Sequence, residues 1–111
     1  MVHGNIYAII DDGYFYIGST TKSIEERINK HISESRTKKI KLYDYINKVR
    51  KGWEDIIYII LEEVECTEKE LHNKEYQYIK THYNNFSLNK IKDDKQGCII
   101  RNYINKRKNI Y

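Results

Sequence analysis

Five side chains in this sequence carry chemistry at spacings that a small fold can gather: Tyr7, Tyr16, Arg27, His31 and Glu75. The Arg27 guanidinium is a planar fork matched to phosphate or carboxylate oxygens. Glu75 is a hard oxygen ligand, and a magnesium-type ion needs only one or two such carboxylates when waters and a substrate phosphate complete its shell. His31 and the two phenols accept or relay protons. The set therefore has the parts for chemistry at a phosphate. Each part also has a plainer reading: Arg27 in an ion pair with a nearby carboxylate, His31 as an exposed polar residue, Glu75 in a surface pair with Lys74 or Lys80.

The elements that must position these residues follow from local pattern. Residues 5–10 and 14–18 are β-branched and aromatic, with Asp11-Asp12-Gly13 between them, and read as a hairpin carrying Tyr7 and Tyr16 on its two strands. Gly18, just beyond Tyr16, permits close backbone approach. Ser23 and Glu26 form a capping box, and Ile24, Ile28 and Ile32 repeat at i+4, which predicts a helix over 24–35. Arg27 and His31 are then neighbours beside its apolar stripe. Leu42, Ile46 and Val49 predict a second helix on one face, ended by Gly52, and residues 56–61 a central strand buried on both faces. Thr67 and Glu70 open a helix over 68–82, with Glu75 at the edge of the stripe formed by Leu71, Tyr78 and Ile79. Asn84-Asn85 reads as a loop and residues 98–110 as a short basic helix. The order ββααβα with a basic tail predicts a small α/β (α+β) domain, a three-stranded antiparallel or mixed sheet flanked by helices.

The bulk composition agrees with one compact domain. The chain has 111 residues, 40% of them hydrophobic and 32% charged, with a formal charge of +4. That balance excludes a disordered polycation and a second full domain. No apolar run approaches the roughly 20 residues of a bilayer span, so no membrane partner is expected. The N-terminus lacks a basic leader and cleavage site, and Cys66 and Cys98 fit neither a zinc ribbon nor a disulfide framework. These features predict an intracellular protein, cytoplasmic or nuclear and not secreted, with free thiols. Net charge is −2 over residues 1–21, +6 over 22–51, −6 over 53–75, +1 over 76–94 and +5 over 95–111. Basic stretches flanking an acidic one suit a protein whose one face meets a polyanion. The 11 tyrosines argue nothing by number, since Ile, Lys, Tyr and Asn together reflect A/T-rich codons.

Asn5-Ile6-Tyr7, eight intervening residues, Tyr16-Ile17-Gly18, then Arg27, His31, Glu75 within Glu-Tyr-Gln-Tyr-Ile, and Leu88-Asn89 resemble the GIY-YIG nuclease domain, from about residue 4 to 90. It is similar to the catalytic domain of phage-type homing endonucleases and the N-terminal module of excision-repair nucleases. The resemblance divides the chain into a nuclease-like domain over 1–92 and a basic extension over 93–111. It implies that Tyr7 and Tyr16 are paired active-site tyrosines, Arg27 the phosphate-binding arginine, and Glu75 the ligand of a divalent metal, Mg²⁺ or Mn²⁺. His31 matches a variable auxiliary position and Asn89 the polar residue closing the motif set. Asn5 replaces the first glycine of the family name, with Gly4 one place earlier.

The implied activity is endonucleolytic hydrolysis of DNA phosphodiesters. Tyr7 as base, with a pKa of about 10 when unperturbed, would need the cation and Arg27 to favour its phenolate, while Tyr16 would orient water or the base and His31 relay the proton. Arg27 and the tail cations Lys95, Arg101, Lys106, Arg107 and Lys108 would contact DNA phosphates without reading sequence. The alternative is a non-catalytic nucleic-acid-binding module, which grips phosphates with the same basic segments and needs no Glu75.

Overall fold

A computed structural model describes residues 1–90. β1 (Val2–Asp11), β2 (Tyr14–Thr20), α1 (Ile24–Glu34), α2 (Lys41–Tyr45), β3 (Ile57–Cys66) and α3 (Glu68–His82) follow in that order. The three strands form one antiparallel sheet ordered β2-β1-β3. The fold is α+β, as the sequence predicts. The tail cations, Cys98 and the expected helix over 98–110 lie outside the described residues.

The hairpin closes through Asp12 and Gly13, whose φ angles of 48° and 82° make the tight two-residue turn that matches strand twist. α1 and α3 begin where their capping residues stand. The Ser23 side chain accepts from the Glu26 amide, and Thr67 and Glu70 complete a reciprocal box.

Helices pack on both faces of the sheet. Tyr7 and Ile9 on one face of β1 meet Ile28 of α1 and Leu42, Tyr43 and Ile46 around α2. Ile6 and Ala8 on the other face, with Ile17 of β2, meet Leu71 and Ile79 of α3. Gly4 lets α3 come this close, because a Cβ there would lie 2.7 Å from both terminal carbons of Leu71.

Two expectations are corrected. The central strand is β1, and the 56–61 run belongs to β3, an edge strand paired only with β1 among the described residues. Ile57 is 61% exposed and Ile59 and Ile60 are about two-fifths exposed, so the run is not buried on both faces. Apolar content tells that a segment is extended, not how many neighbours it has. The register shifts opposite Ile6 and Tyr7, leaving Leu61 as the extra residue of a bulge. Beyond it Glu62, Glu63 and Glu65 bring charge to the edge, one of the devices that discourage further strand pairing.

The second correction concerns α2. It continues into a π turn over Ile46–Arg50, whose wider winding carries Val49 out to 66% exposure. Leu42 and Ile46 stay in the core. Arg50, not Val49, is the residue directed toward the hairpin. Its Nε donates to Asp11 Oδ1 at 2.9 Å and its terminal nitrogens donate to the carbonyls of Gly52 and Glu54. Gly52, at φ 143°, ends the segment as expected.

Residues 84–90 cover the free edge of β2. The Phe15 amide donates to the Phe86 carbonyl at 3.1 Å and the Leu88 amide to the Phe15 carbonyl at 2.7 Å. No helix of the described residues is long and apolar enough to cross a membrane.

The π turn makes a contrast measurable by urea denaturation. Ile46→Ala is expected to cost about 2–5 kcal/mol, while Val49→Ser stays within about 0.5 kcal/mol of the parent. A large loss for Val49→Ser would restore the regular helix in place of the π turn.

Candidate active site

The hairpin places its two tyrosines by opposite means. Tyr7 lies on the central strand and is completely buried, its hydroxyl over the backbone of Gly18 on the neighbouring strand. A Cβ at Gly18 would stand 2.5 Å from Tyr7 Oη and 3.1 Å from the Tyr16 ring, so only glycine lets the hydroxyl pass. Tyr16, on the outer strand β2, is half-buried and lines an open cleft of about 980 Å³ with Glu75, His72 and Asn89. A second groove, about 660 Å³, continues past His72 and is lined by Ser19, Lys22, Arg27, Lys30 and Lys38.

α1 supplies Arg27 and His31 from adjacent turns. Their expected neighbourhood holds, but His31 is not an exposed polar residue: it is completely buried. Its Nε2 lies 2.7 Å from Tyr7 Oη and its Nδ1 2.8 Å from Tyr43 Oη. Tyr16 meets the imidazole edge-on at 5.5 Å, and the Trp53 ring stacks over it at 6.3 Å. Arg27 Nη1 is 3.9 Å from Glu34 Oε1, which partly fulfils the plain ion-pair reading, while its charge lies near the Tyr7 hydroxyl.

α3 contributes Glu75. Its Oε1 accepts from Ser19 Oγ at 2.5 Å, and no ion pair with Lys74 or Lys80 forms; Lys74 instead binds Glu62 at 3.1 Å. Asn89 acts on β2 itself. Its Oδ1 accepts from the Ile17 amide at 2.8 Å and its Nδ2 donates to the Ile17 carbonyl at 2.7 Å. The side chain replaces a strand partner at the residue between Tyr16 and Gly18. Sequence reading missed Ser19, Tyr43, Glu34 and His72. Ser19 follows the Tyr-Ile-Gly triplet and was open to notice, whereas Tyr43 is hidden among the other tyrosines.

Burial and charge set the protonation states. Burial raises the Tyr7 phenol far above its ordinary range, Tyr16 adds to this, and Arg27 opposes it. Tyr16 is also raised, by burial and then by Glu75, with Arg27 again opposing. Both are therefore phenols at neutral pH. Burial and then the Arg27 charge hold His31 down to about 4, so its ring is neutral.

Linkage turns this into a stability effect. The His31 pKa is about 4 in the fold against 6.5 unperturbed, so its contribution is complete above pH 6.5 and is lost as the pH falls from there toward 4. The full effect is about 3 kcal/mol. Urea unfolding at pH 7.5, 5.5 and 4.5 should show the decline in the parent, and a much flatter line in His31→Gln, whose amide does not titrate. Equal slopes would place the titration elsewhere.

Among the described residues no three His, Cys, Asp or Glu side chains converge into a ready-made metal cage. The arrangement is instead one carboxylate and one phenol on a cleft, one guanidinium on the adjoining groove and a second phenol buried behind them, from four elements, with lysines along both cavities. No curated protein and no solved structure matches the chain significantly. The GIY-YIG catalytic domain family matches it over residues 3–91, which takes in the described elements but for Val2 at the start of β1. With Tyr7, Tyr16 and Gly18 interlocked on its hairpin, the chain belongs to the GIY-YIG family of nuclease domains.

Proposed function

We propose that this chain is a metal-dependent endonuclease that hydrolyses phosphodiesters in DNA, the phosphate lying between Arg27 and Glu75. The observation that carries this reading is geometric: Tyr16 and Glu75 line one open cleft, Arg27 lines the adjoining groove, and Ser19 of that groove holds the Glu75 carboxylate at 2.5 Å. Opposite charges and a phenol converging on open cavities make a candidate reacting site.

Glu75 fits a hard divalent cation, Mg²⁺ or Mn²⁺, as a single carboxylate facing an open cleft where waters and phosphate oxygens can complete the shell. Such a cation, when held there, supplies positive charge to the phosphate and to the nearby phenols. Arg27 donates to the non-bridging oxygens and stabilises charge as it develops. Of the two phenols Tyr16 faces the cleft and takes the water-side role, moving or orienting the proton of the attacking water. Tyr7, closed off from solvent, holds Arg27 and His31 in place. Asn89 fixes the strand that carries Tyr16.

Lys22, Lys30 and Lys38 along one groove, and Lys39, Lys41 and Lys90 along the other, provide a basic track for a DNA backbone. Lys95, Arg101, Lys106, Arg107 and Lys108 extend it in this proposal. Contacts of this type position the domain without reading bases.

Plasmid, single-stranded, flap and junction DNA incubated with Mg²⁺ or Mn²⁺ test the reading. Glu75→Ala should abolish cleavage while DNA binding persists. Arg27→Lys should retain little activity, a loss on the order of 10²–10³ in rate. Tyr16→Phe should be more damaging than Tyr7→Phe, the order that their exposure dictates. No cutting of any DNA by the parent, with binding intact, would make it a nucleic-acid-binding module.

A further inference from the structure

The buried chain Tyr7, His31, Tyr43, Glu34 has a direction, and it can be read from its outer end. Glu34 lies 3.0 Å from Lys38 Nζ and 3.9 Å from both Lys30 Nζ and Arg27 Nη1. The Lys38 hydrogen bond, with Arg27 and Lys30 adding to it, keeps its carboxyl below the usual range and ionised. An ionised carboxylate only accepts hydrogen bonds. Tyr43 Oη is 3.5 Å from Glu34 Oε2, a long contact, but a full negative charge at that distance still orients a hydroxyl rotor toward it.

Having turned its one hydrogen to Glu34, the Tyr43 oxygen is left as an acceptor for His31 Nδ1 at 2.8 Å. A neutral imidazole with its hydrogen on Nδ1 presents a bare Nε2. Tyr7 Oη, 2.7 Å from that nitrogen, must then be the donor. The groups facing the imidazole are Tyr7 of β1, Tyr16 of β2, Arg27, Lys30 and Glu34 of α1 and Tyr43 of α2, with Trp53 over the ring. None of the others offers His31 a competing hydrogen bond among the described residues.

We propose that Glu34 and Tyr43 are positioning residues that fix His31 in the tautomer bearing hydrogen on Nδ1, so that Tyr7 points its hydrogen inward and its oxygen lone pairs at Arg27. The opposite tautomer would donate to Tyr7, and the Tyr7 hydrogen would swing out against the guanidinium, donor facing donor. The tautomer thus decides whether Tyr7, beside Glu34, is a second acceptor for Arg27. Its relevance to cleavage rests on the nuclease reading above; the tautomer itself does not.

Nitrogen-15 NMR of the full chain with labelled histidine reads the state directly. At pH 7 the parent should show His31 Nδ1 protonated and Nε2 with the shift of a bare ring nitrogen. Tyr43→Phe removes the acceptor at Nδ1 and should transfer the hydrogen to Nε2, where the Tyr7 oxygen remains. Glu34→Gln, altered at the rim of the cleft and so expected to fold, should give a mixture of the two tautomers. A parent with hydrogen on Nε2, or an unchanged Nδ1 tautomer in either folded variant, overturns the proposal. Tyr43→Phe should also slow cleavage about ten- to hundredfold with DNA affinity unchanged, as misorientation of a positioned group does. Normal cleavage with the tautomer switched would remove the tautomer's role in catalysis, and a parent that cuts no DNA would remove the nuclease reading while the NMR result stands.

Discussion

The burial of one hydroxyl organises this domain. Tyr7 Oη sits at the centre of the sheet, cut off from water, and a buried hydroxyl without a partner costs on the order of 1–3 kcal/mol. The fold answers with His31 at 2.7 Å and with Gly18, whose missing Cβ leaves the space. His31 in turn needs a partner at its other nitrogen, which brings in Tyr43 and with it the placement of α2. The glycine of the Tyr-Ile-Gly triplet and the tyrosine nine residues before Tyr16 are thus two halves of one steric requirement.

From this core the site opens outward by degrees. Tyr7 and His31 are sealed, Tyr16 and Glu75 are half-buried, and the lysines stand in solvent. A gradient of this kind suits work on a polyanion. Exposed cations attract the backbone over a distance, whereas the partly buried Arg27 and Glu75 act where screening is weaker and a charge contact is stronger. The acid-rich segment over 53–75 largely falls on β3 and the start of α3. There Lys74 and Tyr78 engage Glu62, and His3 approaches Glu63 and Glu65.

What the sequence shows and hides follows from the range of each interaction. Asp12-Gly13, Ser23 with Glu26, and Thr67 with Glu70 are local devices that act within four residues; the turn and both helix starts lie where the pattern predicts, the reciprocal box forming at Thr67 and only its Ser23 half at α1. The π turn is not legible, because Leu42, Ile46 and Val49 have the spacing of a regular helix and only the pull of Asp11 on Arg50 and Tyr45 accompanies the wider winding. The edge position of β3 is likewise a tertiary outcome. At the site, Tyr7, Tyr16, Arg27, His31 and Glu75 are legible through ordered spacing, and the structure gathers them. Ser19 stands next to the Tyr-Ile-Gly triplet and Glu34 at helical spacing from Lys30, but Tyr43 enters only through its contact with His31 across elements, and no periodicity marks it.

The weight carried by the hairpin explains how so small a domain can hold so many chemical groups. β1 offers Tyr7 to one face, while Ser19 at the end of β2 binds Glu75 of α3 and Tyr16 meets His31 of α1. Tyr16, Ile17, Gly18 and Ser19 are consecutive on one extended strand, so pairing with β1 fixes their positions together. Packing has only to fix the strand as a body, and the Asn89 amide does so on its outer side while seven register pairs with β1 do so on its inner side. Helices α1 and α3 then need only lie against opposite faces of this one rigid ribbon for guanidinium, carboxylate and phenol to arrive together. A site built by three independent loops would have to pay ordering entropy for each. Here the sheet has already fixed its central members, and the groups left to be ordered are the side chains of Arg27 and Glu75.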